Sequence, residues 1–187
     1  MRAPKSWSVA LLVKTLSVVP LLALLTGTGA APALGDDPCA GFKWDVSKER
    51  ALFGSSAFLQ PAGKDSVTAT VVVPNRLYQL QLLPLSEVAF AVPPGNKKLT
   101  EGSYAGLAAL KIPAAGDYRI SLDLPLWIDV AANGRLVPAK DYEGQRGCDA
   151  PHKIVEFDLD DQQPLLLQFS AATQATVRLT VTRVAGH

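Results

Sequence analysis

Tyr118-Arg119-Ile120-Ser121-Leu122-Asp123-Leu124-Pro125-Leu126-Trp127-Ile128-Asp129-Val130 is the stretch that decides the fold class. Ile120, Leu122, Leu124, Leu126, Ile128 and Val130 occupy one parity, and Arg119, Ser121, Asp123, Pro125, Trp127 and Asp129 the other. Side chains alternate across a β-strand, so the run reads as one long strand with a buried face and a wet face. Trp127 then lies on the wet face beside Asp129. That pair is similar to a carbohydrate platform, where the ring stacks on a sugar and the acid takes hydroxyls. A loop folded over Trp127, or a register shift at Pro125, gives the same pattern without a site.

Working outward, the neighbouring segments read the same way. Strands are expected at 67–73, 76–83, 88–92, 105–112, 154–159, 165–169 and 176–184. Between them lie Pro74-Asn75, Pro93-Pro94-Gly95-Asn96, Pro113-Ala114-Ala115-Gly116, Asp160-Asp161-Gln162 and Ser170-Ala171-Ala172, all with turn chemistry. Ala132-Asn133-Gly134 reads as a type I′ hairpin, because Asn-Gly supplies the positive φ angles that turn needs. Short strands at this spacing predict an all-β fold, an antiparallel β-sandwich of jelly-roll or immunoglobulin-like type. Residues 40–53 are ambiguous, and Asp45 is a candidate cap for one short N-terminal helix ending at Phe53.

The N-terminus has a different character. Arg2, Lys5 and Lys14 precede an apolar stretch at 15–25, and Ala31-Pro32-Ala33 fits a small-residue cleavage site. This is the layout of a secretory signal, expected over 1–33, with a short linker at 34–38 and one domain at 39–187. A spanning helix needs about 20 apolar residues, and Lys14 interrupts the one run that approaches it, so no membrane insertion is expected after cleavage. The expected location is the periplasm or the extracellular space. Cleavage after Ala33 leaves 154 residues carrying 15 basic and 17 acidic groups. That balance excludes the basic excess of a nucleic-acid-binding surface.

Two cysteines remain, Cys39 and Cys148. An even count in an exported chain favours a disulfide, with two buried thiols or a redox pair as the alternatives. Their separation is not that of a CxxC redox motif.

Chemistry is thinly supplied. The stretch 138–156 concentrates Lys140, Asp141, Tyr142, Glu143, Arg146, Asp149, His152, Lys153 and Glu156. His152 and Glu156 share strand parity and are candidates for an acid–base pair; the alternative is a solvated loop with surface ion pairs. No G-x-S-x-G nucleophile elbow exists, since the run through Gly102-Ser103-Tyr104-Ala105-Gly106 lacks its first glycine. The chain has two histidines, His152 and the terminal His187, so a histidine-based metal site would need the terminus drawn inward. No metal or cofactor is expected.

Cys39-Ala40-Gly41-Phe42-Lys43-Trp44-Asp45-Val46-Ser47, Trp127-Ile128-Asp129-Val130, Gly147-Cys148 and Lys153-Ile154-Val155-Glu156-Phe157 together resemble a group of small exported proteobacterial proteins of unknown function. Some of these carry the label homogentisate dioxygenase. That enzyme family is much longer and holds iron with two histidines and a glutamate. The resemblance implies that Cys39, Trp44, Trp127, Asp129, Cys148, Lys153 and Glu156 form a linked set. A disulfide would draw Trp44 and Asp45 towards Arg146, His152 and Lys153, making a composite binding patch with Asp129. The resulting expectation is a non-catalytic ligand-binding or envelope-accessory module for a small molecule, a glycan or an envelope protein. A metal-dependent enzyme of the dioxygenase type is the alternative.

Overall fold

A computed structural model describes residues 37–148 and 150–184. The expected signal at 1–33 lies outside the described residues, as do Asp149 and His187. Twelve strands are described: β1 (Phe58–Pro61), β2 (Thr70–Val72), β3 (Leu77–Gln81), β4 (Leu83–Pro84), β5 (Tyr104–Leu110), β6 (Gly116–Leu122), β7 (Trp127–Ala132), β8 (Arg135–Val137), β9 (Ala139–Gly144), β10 (Lys153–Leu159), β11 (Leu165–Ala172) and β12 (Thr176–Arg183). One helix, α1 (Ser47–Phe53), precedes them.

The strands form an all-β sandwich. The first sheet runs β1-β3-β12-β6-β10-β9, and the second runs β2-β5-β11-β7-β8 with β4 also on β5. Pairing is antiparallel except at two edges, where β1 lies parallel to β3 and β2 parallel to β5. The core fills the space between the sheets, with Tyr118, Ile120, Phe157 and Leu179 from the first meeting Val130, Leu167 and Phe169 from the second. Among the described residues no helix is long and apolar enough to cross a membrane.

The 118–130 run is two strands and not one. β6 belongs to the first sheet and β7 to the second, and the chain crosses between them at 123–126. Pro125 falls in this crossing, where its missing N–H breaks no ladder bond. Asp123 fixes the corner by accepting the Arg178 N–H at 2.8 Å and its Nε–H at 2.9 Å. The apolar parity survives because both halves face the same core: Ile120, Leu122, Leu126, Ile128 and Val130 are all buried.

Of the opposite parity only Pro125 and Trp127 are exposed. Ser121, Asp129, Gln168, Ser170, Thr180 and Thr182 are buried polar residues on the outer sheet faces. Each outer face carries a cover. The N-terminal segment lies on the first sheet, where α1 packs against β12 and the Thr182 hydroxyl donates to buried Glu49. Asp45 accepts the Ser47 N–H at 2.9 Å and so caps α1 from one residue before the formal N-cap, Val46. Cys39 and Cys148 are bonded, S–S 2.04 Å, and pack with Phe42, Val46 and Ile154 in a small second core.

Other expectations shift for local reasons. The 67–73 segment is extended only at β2, because the Asp65 carboxylate takes the Val67 and Thr68 N–H groups in a turn. No strand forms at 88–92, since the Ala91 and Val92 N–H groups bond to a side chain, Gln168. Part of the polar stretch 138–156 is β9, an edge strand whose exposed faces give no alternation to read. Ser170-Ala171-Ala172 is a bulge within β11, with Ala171 at φ 56°, and not the turn. The Asn133-Gly134 hairpin forms between β7 and β8, with φ 49° and 71°.

Candidate functional site

The edge geometry of the two sheets creates a cleft. β8 pairs only with residues 130–132 of β7, so residues 127–129 have one ladder neighbour, β11. The chain then passes through Pro138 into β9 of the first sheet. Between the unpaired stretch of β7 and the pair β9–β10 lies an open cleft of about 540 Å³. Ile128, Val137, Val155 and Phe157 give it an apolar floor continuous with the sandwich core.

Trp127, Asp129, Tyr142, Glu143, His152 and Lys153 supply its chemistry. The Trp127 indole N–H donates to Asp129 Oδ1 at 2.9 Å, and Gly95 N–H donates to Oδ2 at 2.9 Å. Both carboxylate oxygens are thereby engaged, and the indole is held in one orientation. A Cβ on Gly95 would come within 2.8 Å of Asp129 Oδ1, so only glycine allows the segment to lie this close. Trp127 remains 41% exposed and Tyr142 70% exposed, giving the cleft two accessible aromatic rings.

Lys153 reaches in from the start of β10. Its ammonium donates to the Leu126 carbonyl at 2.9 Å and sits 5.3 Å from the Trp127 ring centroid. Burial pushes its pKa below the ordinary lysine value, and the nearby Asp129 charge opposes that shift. Gly144 pairs with Lys153 across β9–β10, leaving no side chain opposite it.

The residues expected to form one patch fall into two groups. Trp127, Asp129, His152 and Lys153 share the cleft. Trp44 and Asp45 belong to the N-terminal cover, and Glu156, on β10, lies on the outer face of the first sheet that this cover meets. There Lys43 and Arg119 lie 4.6 and 4.7 Å from the Trp44 ring centroid, and Arg119 pairs with Glu156 at 3.0 Å. Asp45 caps α1. Arg146 is exposed and joins neither group through a hydrogen bond or ion pair among the described residues. Along β10, Lys153 shares the parity of core-facing Val155 and Phe157, whereas Glu156 shares that of Ile154 on the outer face, so the two side chains leave opposite sides of the first sheet.

The acid–base pair of His152 and Glu156 does not form. Four residues along a strand span about 13 Å, so shared parity alone does not bring side chains together. Arg119, directly opposite on β6, takes the Glu156 carboxylate instead. Among the described residues no group of three or more His, Cys, Asp or Glu is placed to hold a metal ion.

Sequence reasoning left Tyr142, Gly95 and Gln168 out of the patch. Tyr142 sat within the polar stretch without a partner to single it out. Gly95 was legible only as a turn residue. Gln168 carried no signal, because a buried glutamine looks like a surface one until its partners are known.

No protein-family model matches the chain, and no curated protein matches it. Among solved structures, a beta-glucosidase from Kluyveromyces marxianus in complex with glucose is 14% identical, with TM-score 0.30. The likeness covers 44% of this chain and 10% of that one, and at that TM-score it carries no argument.

Proposed function

We propose that this protein is an exported, non-catalytic binding module and that its ligand is a saccharide held in the cleft between β7 and β9–β10. The observation that carries the reading is Trp127, half-exposed at the cleft and locked by its indole bond to Asp129. A rigid aromatic ring loses little entropy on binding and offers a flat face to the C–H surface of a pyranose. Tyr142 lines the same cleft. The disulfide supports a location outside the cytoplasm, where such bonds persist.

The test is calorimetric titration of the oxidised protein with a panel of neutral and acidic oligosaccharides, alongside Trp127→Ala and Tyr142→Ala. Binding that weakens at least 10-fold in Trp127→Ala supports the reading. Absence of binding across the panel, or binding indifferent to both substitutions, overturns it.

A further inference from the structure

The acceptors and donors of the cleft are not equally committed. Asp129 accepts from the Trp127 indole and from Gly95 N–H. Glu143 accepts from the Lys43 backbone N–H at 2.9 Å and from the Gln145 amide at 2.9 Å. Both acids that line the cleft are therefore already occupied on each carboxylate oxygen.

The donors are not. Lys153 carries three N–H groups and bonds one carbonyl, that of Leu126. No carboxylate comes within ion-pair distance of it among the described residues. The Tyr142 hydroxyl and the His152 ring make no hydrogen bond among the described residues either. The Tyr142 and His152 side chains can each donate or accept, but the Lys153 ammonium can only donate, so the charged capacity left in the cleft is donor capacity, on a half-buried cation 5.3 Å from the Trp127 ring.

A half-buried ammonium whose one hydrogen-bond partner is a neutral carbonyl is costly, as its depressed pKa reflects. Asp129 is near enough to act on Lys153 but beyond ion-pair distance and committed to Trp127 and Gly95, so an incoming carboxylate would supply a directly bonded countercharge and two acceptor oxygens in a partly water-excluded site, where charge-assisted bonds are strong. A neutral sugar offers hydroxyls but no countercharge. A carboxylate attached to a ring would use both features, the ammonium of Lys153 and the exposed face of Trp127.

We infer that the cleft selects carboxylate-bearing sugars, that is uronates, with Lys153 taking the carboxylate while the pyranose face lies on Trp127. This rests on the saccharide reading of the cleft. The same chemistry is presented by a free uronic acid and by a uronate residue within a polymer.

The experiment titrates the oxidised protein with galacturonic acid, trigalacturonic acid, a neutral galactose trisaccharide and acetate. It is repeated for Lys153→Met, Lys153→Arg and Trp127→Ala. The expected result is acidic over neutral preference of at least 10-fold. Lys153→Met should lose about 10- to 100-fold for the acidic ligand, the usual scale of one charge-assisted bond. It should keep its affinity for the neutral trisaccharide, and Lys153→Arg should retain most of the preference. Monomer binding equal to the trimer identifies a free uronic acid as sufficient; trimer binding alone identifies a polymer. Either supports the inference.

Neutral and acidic sugars bound equally, or a preference unchanged in Lys153→Met, would sink the uronate assignment and leave the saccharide reading standing. Acetate bound as tightly as galacturonate, with Trp127→Ala silent, would make the cleft a plain anion site and overturn both. No binding of any of the four overturns both as well. If Lys153→Met fails to fold, the preference measured in Lys153→Arg decides: a preference lost there although the arginine keeps the charge overturns the assignment, and a preference kept supports it.

Discussion

Asp129 on β7 and Gln168 on β11 stand directly opposite each other, and together they hold one passing segment against the outer face of the second sheet. The Gln168 carboxamide accepts from Ala91 N–H at 2.8 Å and Val92 N–H at 3.2 Å, and donates to the Val92 carbonyl at 3.1 Å. Asp129 takes Gly95 N–H, three residues further on. Two side chains thus do what a neighbouring strand would otherwise do, and they position the site's tryptophan in the same stroke.

This arrangement predicts coupled losses. Gln168→Leu leaves two backbone N–H groups and one carbonyl without partners in a buried place, and Asp129→Ala strands the Trp127 and Gly95 N–H groups. Each should cost about 1–3 kcal/mol in denaturant unfolding. Because both side chains hold the same segment, the double variant should lose less than the sum of the singles by at least 0.5 kcal/mol or so. Strict additivity would show that the two anchor points act independently.

Gly95→Ala probes the close approach itself. The new methyl would sit 2.8 Å from Asp129 Oδ1 and 3.4 Å from Trp127 Nε1. Something must move, either the segment or the Asp129 and Trp127 side chains that meet it. The expected outcome is a shift in the Trp127 indole N–H resonance and weakened ligand binding, with global stability reduced by about 1–2 kcal/mol. An indole resonance identical to that of the parent would show that the segment tolerates the methyl.

Opening the disulfide should destabilise strongly. Cys39 and Cys148 close a loop with a sequence separation of 109, and the chain-entropy model gives about 4–5 kcal/mol for a closure of that length. Cys39→Ser with Cys148→Ser should lower the denaturant midpoint accordingly. The N-terminal cover should lose hydrogen-exchange protection before the sandwich does, because the bond ties that cover to the turn before β10. Simultaneous loss of protection in both would show that the cover and the sandwich form one cooperative unit.

Acid should loosen the same cover. The Asp37 carboxyl is held below its usual pKa by the Cys39 N–H and the Arg50 guanidinium, and Asp45 by the Ser47 hydroxyl and N–H. Asp141 is lowered by the Lys43 ammonium that reaches it from the cover, and by the Tyr142 N–H. A carboxyl whose folded pKa is depressed contributes stability above its unfolded value and loses it as pH falls through the folded one. Protection in the cover should therefore decline as the pH drops below about 4. All three groups are exposed, so the effect is modest and should shrink with added salt. A decline that begins well above that range would show that these three carboxyls do not govern it.

The strand-rich class, the Asn133-Gly134 hairpin, the cysteine pair and the parity of the 118–130 run were all legible in the amino-acid order. These depend on local rules: alternation along a strand, the φ angles a turn demands, and the even count of thiols. That Leu122 and Ile128 belong to different sheets emerged from the three-dimensional fold alone, because two strands joined by a crossing of even parity present the same apolar alternation as one long strand. The fold also decided that Asp129 is buried beneath residues 91–95 while Glu156 faces the N-terminal cover. Covered outer faces look the same in sequence as solvated ones, since a buried polar side chain is distinguished only by the partner that reaches it from elsewhere in the chain.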